Sequence, residues 1–191
     1  MAKIGIKGLT FAAYSTGGDD SAITYTGGTK MEDYMIRADI SEEREDTKFH
    51  ADDHQIDAVN YLNGATLNLE LANMTAAMEE KFLGYKQVGT SGEHNVTDAA
   101  SPYIGCGFIT KERFKGTESF KGYWFYKVQF SRDSDSISTK GENTEFQTET
   151  VNGSVMAVSL TSGGDKIYYS TIRDTTESGV RTWLNGKAGV T

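Results

Sequence analysis

One cysteine in 191 residues, Cys106, leaves no partner for an internal disulfide, and three histidines beside it cannot build the usual Cys/His zinc clusters. Disulfide scaffolds and zinc fingers are excluded. Long apolar runs are also missing: none approaches the roughly 18 residues of a spanning helix, and the opening Met1-Ala-Lys-Ile-Gly-Ile6 has no stretch fit for a secretory signal. The expected product is soluble, cytoplasmic and not membrane-bound. Cations are in short supply, with Lys+Arg 19 against Asp+Glu 27 and a net charge of -8. That balance opposes a sustained grip on nucleic-acid phosphates, which rests on releasing their counterions. The densest charge run, Ser41-Glu-Glu-Arg-Glu-Asp46, is acidic, and Lys111, Arg113, Lys115 and Lys121 alternate with Glu112 and Glu118, so no basic patch is expected.

Sequence signatures of catalysis are equally sparse. No Gly-x-Ser-x-Gly elbow and no Walker-type Gly-Lys-Ser/Thr occurs, and Gly105-Cys-Gly107 lacks the third glycine of a dinucleotide loop. Cys106 sits among glycines and apolar residues with no base beside it, which predicts a buried, inert thiol. No enzymatic activity and no cofactor are expected. His50-Ala-Asp-Asp-His54 has ligand types that suit a divalent metal. In an extended chain, however, its side chains diverge, and the reading preferred here is a solvated loop without metal. Tyr123-Trp-Phe-Tyr126 could stack on a sugar ring. Strand alternation sends Trp124, Tyr126, Val128 and Phe130 to one side and Tyr123, Phe125, Lys127 and Gln129 to the other, which makes at least half of them core.

What is abundant points to strands. Pro102 is the only proline, while 21 glycines and 37 serines and threonines suit strands joined by turns. Residues 34–40 alternate Tyr34, Ile36, Ala38 and Ile40 against Arg37 and Asp39. Residues 65–71 set Leu67, Leu69 and Leu71 against Asn68 and Glu70, and 144–150 put Glu145, Gln147 and Glu149 on one polar face. Further strands are expected near 4–14, 103–110, 122–131, 151–160 and 166–171. A helix is expected over 74–83, capped by Asn73 or Thr75 and ended at Gly84. A weaker one is expected over 174–185, where Asp174 and Glu177 have capping-box spacing. Residues 15–33 and 41–53 read as long loops. The length suits a single domain, 1–191, mainly β: a two-sheet β-sandwich or barrel with a flanking helix.

Several segments, taken in order, resemble the major tail proteins, or tail tube proteins, of long-tailed non-contractile bacteriophages (siphophages). They are Ala2-Lys-Ile-Gly-Ile-Lys-Gly-Leu9, Ile36-Arg-Ala-Asp-Ile-Ser41, Ala51-Asp-Asp53, Thr66-Leu-Asn-Leu-Glu-Leu-Ala72 and Phe82-Leu-Gly84. Ser101-Pro-Tyr-Ile-Gly-Cys-Gly-Phe108 follows, then Trp124-Phe-Tyr-Lys-Val-Gln-Phe130, Ser138-Thr-Lys-Gly-Glu142 and Glu145-Phe-Gln-Thr148. The end beyond about Ile172 matches least. The resemblance implies a two-sheet tail-tube fold with one flanking helix, whose inner sheet completes a hexameric β-barrel. It also implies stacked homohexameric rings forming a virion tail assembled in the host cytoplasm, with tape measure, tail terminator and distal tail proteins as partners. DNA would pass during ejection without adhering. On that reading Asp39, Glu70, Glu145 and Glu149 are candidate lumen-facing residues. Glu42, Glu43, Arg44, Glu45, Asp46 and Lys48 form a candidate inter-ring or inter-subunit loop. The alternative is a monomeric carbohydrate-binding β-sandwich module.

Overall fold

A computed structural model describes residues 2–16, 23–51, 54–89, 92–134, 147–161 and 164–190, with backbone alone at 16, 47, 49–51 and 54–59. The chain is mainly β and antiparallel. Its long strands are β1 (Ala2–Thr16), β2 (Ile23–Met31), β3 (Met35–Ala51) and β4 (His54–Leu71). A helical turn, α1 (Ala76–Met78), widens into a π-helical turn over Glu79–Leu83. A short hairpin of β5 (Lys86–Val88) and β6 (Glu93–Asn95) precedes β7 (Tyr103–Phe114), β8 (Thr117–Ser131), β9 (Glu149–Val155), β10 (Tyr169–Asp174) and α2 (Glu177–Ala188). The main sheet runs β2-β1-β7-β8-β9-β4-β3, with β10 added alongside β8.

Alternation explains which side each strand buries. In β4, Ala65, Leu67, Leu69 and Leu71 are buried while Thr66, Asn68 and Glu70 are only partly covered. Strand β8 joins two halves of the sheet: its residues 120–125 pair with β10, and its residues 128–131 with β9. Between them the register against β7 shifts, as Ile104 faces Val128 but Cys106 faces Phe125, leaving one extra residue in β8. That bulge reverses the alternation. Tyr123, Phe125, Val128 and Phe130 therefore share one core, while Trp124 and Tyr126 enter another. The even-numbered face expected from strict alternation is corrected here.

The first core gathers Leu9 and Phe11, the inner face of β4, Val151 and Val155, and Met78 and Phe82 from the helical turn. The Thr75 hydroxyl accepts from the Met78 N–H, and Gly84 ends the π turn in the left-handed region at φ 75°. The second core lies on the opposite face under α2, where Ala12, Ile109, Trp124, Val180 and Leu184 meet. It also accounts for the Gly105-Cys106-Gly107 triplet. A Cβ on Gly105 would lie 2.4 Å from the Tyr25 ring, and one on Gly107 would lie 2.3 Å from the Tyr123 carbonyl oxygen.

Helix α2 has the expected twelve residues but begins three residues later and is differently capped; with the helical turn before β5 it gives the fold two helical segments rather than one flanking helix. The Thr176 hydroxyl accepts from Gly179 N–H at 3.2 Å, and Asp174 instead accepts from Thr176 N–H at 2.8 Å. Arg181 ties the helix to the sheet by holding Glu32 and Glu177, and Lys7 also pairs with Glu177. Hydrogen bonds from Arg181 hold Glu32, and from Lys7 hold Glu177, below the ordinary glutamate range. Their stabilisation is thus complete above the unfolded-state value, near 4.3, and is lost as pH falls through the folded ones. Arg181→Met should consequently lose less of its urea midpoint between pH 7 and pH 3 than the wild type. Equal losses would place the acid sensitivity elsewhere.

Both stretches expected as loops contain long strand. Residues 15–33 hold β2, where Gly27 takes φ 60° and the pairing with β1 shifts register between Phe11 and Ala13. A Cβ on Gly28 would lie 2.5 Å from the Ala188 carbonyl oxygen, so the glycine pair serves a bulge and a close approach to α2. Residues 41–51 continue β3 into a ribbon with β4.

Candidate functional site

Two features of the sheet stand apart from its cores: a polar outer face and a projecting arm. On the face, registered rows cross β3, β4, β9 and the end of β8. Arg37 lies opposite Glu70 and Thr150, Asp39 opposite Asn68, Asn152 and Ser131, and Ser41 opposite Thr66, Ser154 and Gln129. This surface is built from amides and hydroxyls. Its cation, Arg37, is paired with Asp39 at 2.9 Å, and Glu70 accepts from the Thr148 hydroxyl at 2.8 Å. A shallow open hollow of about 340 Å³ lies along it, lined by Thr66, Asn68, Ser101, Gln129, Asn152 and Ser154.

Asp39 and Glu70 occupy this face as expected of the strand pattern. Glu149 does not. It lies opposite Leu71, two residues before Val151, and so points to the apolar side. There Glu149 accepts from Met74 N–H at 3.3 Å and pairs with Arg132 at 3.3 Å. Arg132, its side chain only 12% exposed, also meets Glu79 at 3.0 Å, tying the π turn to the sheet. Glu145 lies outside the described residues.

The arm is the outer part of the β3–β4 hairpin. Strand β9 covers β4 only over Ala65–Leu71, whereas β3 and β4 stay paired out to Ala51 and His54. From Glu43 to Ala51 the ribbon extends roughly 27 Å at the usual rise of a strand. Glu42, Glu43, Arg44, Glu45, Asp46 and Lys48 are all exposed on it. Their interactions are local: Arg44 pairs with Glu42 at 2.7 Å and reaches Asn60 at 3.3 Å, and Lys48 lies 3.6 Å from Asp46. At the arm's root the Tyr169 hydroxyl donates to Glu42, and the Tyr168 hydroxyl reaches the Leu62 carbonyl at 3.5 Å. The bond from Tyr169, helped by Arg44, holds Glu42 below the usual carboxylate range. Burial, with Glu42 second, pushes Tyr169 up to about 12.

Sequence reasoning missed Tyr169 and Arg132, whose partners lie 127 and 53 residues away. It also missed a gathering of cations. Lys3, Lys121 and Arg173 converge through the pairing of β1, β7, β8 and β10, beside Arg113 and Lys115 on the β7–β8 hairpin. The interleaved carboxylates do not neutralise this end: Glu112 binds Arg173 at 3.1 Å and Glu118 binds Lys111 at 2.7 Å, while Lys3 and Lys121 lie over the Tyr123 ring. A basic patch exists where none was expected.

The other candidates resolve simply. Tyr123, Trp124, Phe125 and Tyr126 are all buried, so this run offers no open ring face to a sugar. Cys106 is buried, and burial pushes its thiol well above the usual value. The side chains of His50 and His54, with Asp52 and Asp53, lie outside the described residues. Among the described residues no group of three or more metal-binding side chains occurs, and no helix is long and apolar enough to cross a membrane. The fold and surfaces define a large antiparallel sheet with one hydrophilic face and a long β3–β4 ribbon that β9 does not cover. No protein-family model matches the chain, and no curated protein matches it.

Proposed function

We propose that this chain is the repeating subunit of a siphophage tail tube, polymerising as stacked hexameric rings around a channel for DNA. The observation that carries the reading is the β3–β4 arm. A ribbon of two strands is marginal alone in water, and its unpaired edges invite another chain. An arm roughly 27 Å long, held at its root and running beyond the stretch of β4 that β9 covers, is a part suited to reaching a neighbour. The amide- and hydroxyl-rich face supports the same reading. Six such sheets joined edge to edge would line a barrel with groups that hold water, offering phosphates no unpaired cation among the described residues of the three rows. The net charge of -8 per copy adds long-range repulsion. Asp39 and Glu70 are the lumen-facing carboxylates on this reading, and the tape measure, tail terminator and distal tail proteins are its partners. Cofactors and catalysis have no part in it.

Negative-stain electron microscopy with sedimentation over a concentration series tests it directly. Hollow tubes or six-fold rings are the expected result. A strict monomer at every concentration, retaining a glycan in an array screen, would overturn it in favour of a carbohydrate-binding module.

A further inference from the structure

The arm and the basic end of the sheet are complementary. Over residues 42–57 the sequence carries seven carboxylates against Arg44 and Lys48. The basic end presents Lys3, Arg113, Lys115 and Lys121 beyond its two ion pairs. Lys3, Lys115 and Lys121 lie over aromatic rings, at 5.5, 5.5 and 4.4 Å from the centroids, in place of carboxylates. Apolar surface accompanies them: Phe114 at the hairpin is 54% exposed, and Ile4 on the neighbouring strand is 52% exposed. In a chain of net charge -8, a hairpin end that carries cations on both faces and an exposed aromatic at its last strand pair is a combination that anchors a specific contact and selects its partner by charge.

We infer that the β7–β8 hairpin end, Arg113–Phe114–Lys115 with Lys3 and Lys121, is the receptor for the acidic arm of a second copy of this chain. The inference rests on the assembly reading above and names the two surfaces that meet. Arm and receptor are different surfaces, each present once per copy, so the contact is head-to-tail and propagates from copy to copy into a ring or a filament. Phe114 supplies the apolar anchor. The charges set orientation and reject an arm offered to another arm.

The test uses full-length chains with each side reversed: Arg113→Glu with Lys115→Glu on the hairpin, and Glu43→Lys with Glu45→Lys on the arm. Each variant alone should need roughly ten-fold more protein than the wild type to reach half-assembly by sedimentation. Mixed in equal amounts, the two should assemble together, because each arm then meets a hairpin of opposite sign, and only alternating contacts are allowed. Recovery in the mixture requires both chains to be folded. The milder pair Arg113→Ala with Lys115→Ala should shift half-assembly in the same direction. Hairpin variants assembling at the wild-type concentration would overturn the receptor and leave the tube reading standing. Single variants that fail, with a mixture that also fails while both keep the wild-type circular dichroism, would overturn it too. A wild-type chain that never self-associates would overturn both.

Discussion

A chain in which residues 46–60 are replaced by Asn-Gly is expected to fold as a monomer of near-native stability and to form no tubes. The design follows the register. Glu45 lies opposite Tyr61, so a two-residue type I′ turn can close the hairpin there without shifting the strands beneath it. Inside that cut, Asp39, Ser41 and Glu42 keep their partners on β4, and Glu42 keeps its bond from Tyr169. Among the described residues, the first core draws on β4 from Ala65 to Leu71, well inside the cut. A loss of no more than about 1 kcal/mol is expected, because what is removed lies beyond the stretch of β4 that β9 covers. Urea denaturation should show this, with a midpoint close to that of the wild type. The concentration required for assembly should rise by at least about 100-fold, since the contact surface proposed for the arm is gone. Tubes of normal appearance from the shortened chain would remove the arm from assembly and, with it, the main support for the tail-tube reading.

The parts legible in the sequence are those where one period holds throughout an element. Leu67, Leu69 and Leu71 were recognisable as inward because β4 alternates cleanly against one core, and Asp39 and Glu70 followed as outward. The helical turn was legible through its ends, with Thr75 capping and Gly84 in the left-handed region. Where the period breaks, pattern reading fails. The bulge in β8 exchanges the two faces halfway along the strand, and nothing in Tyr123-Trp-Phe-Tyr126 marks it, since every residue there is large and buried. The arm was hidden for the opposite reason. Residues 42–46 and 48 are all exposed and mostly charged, with no apolar alternation, so the stretch read as a loop. Ile36, expected inward, is 45% exposed because the register shifts between Met35 and Arg37 at the sheet's edge. Glu149 misled in another way: its alternation belongs with Val151, Gly153 and Val155 of β9 rather than with the residues before it. The basic end needed the topology, because its cations come from four different strands.

Phe82→Ala is expected to cost about 3–5 kcal/mol, against the roughly 5–15 kcal/mol that holds a domain folded. Phe82 is wholly buried, with its ring edge-on to Phe11 at 5.0 Å and stacked on Phe130 at 4.8 Å. Those partners come from β1 and from the segment of β8 beyond the bulge, so a single ring from the π turn bridges two parts of the sheet. Truncation removes both ring contacts and leaves a cavity between elements held in register by long hydrogen-bonded pairings. They cannot close over it without breaking those pairings. The Arg132 bridge to Glu79 and Glu149 holds the π turn in place even when the ring is gone, which makes collapse into the cavity harder still. Phe82→Leu should cost less, because it fills part of the space. Urea unfolding at 25 °C measures both, and a loss under about 1 kcal/mol for the alanine variant would mean that the π turn is not a keystone of this core. The surfaces proposed for assembly lie elsewhere, on the arm and the basic end. At low temperature, where the variant is still folded, it should therefore form tubes at close to the wild-type concentration, separating the energetics of the core from those of the contact.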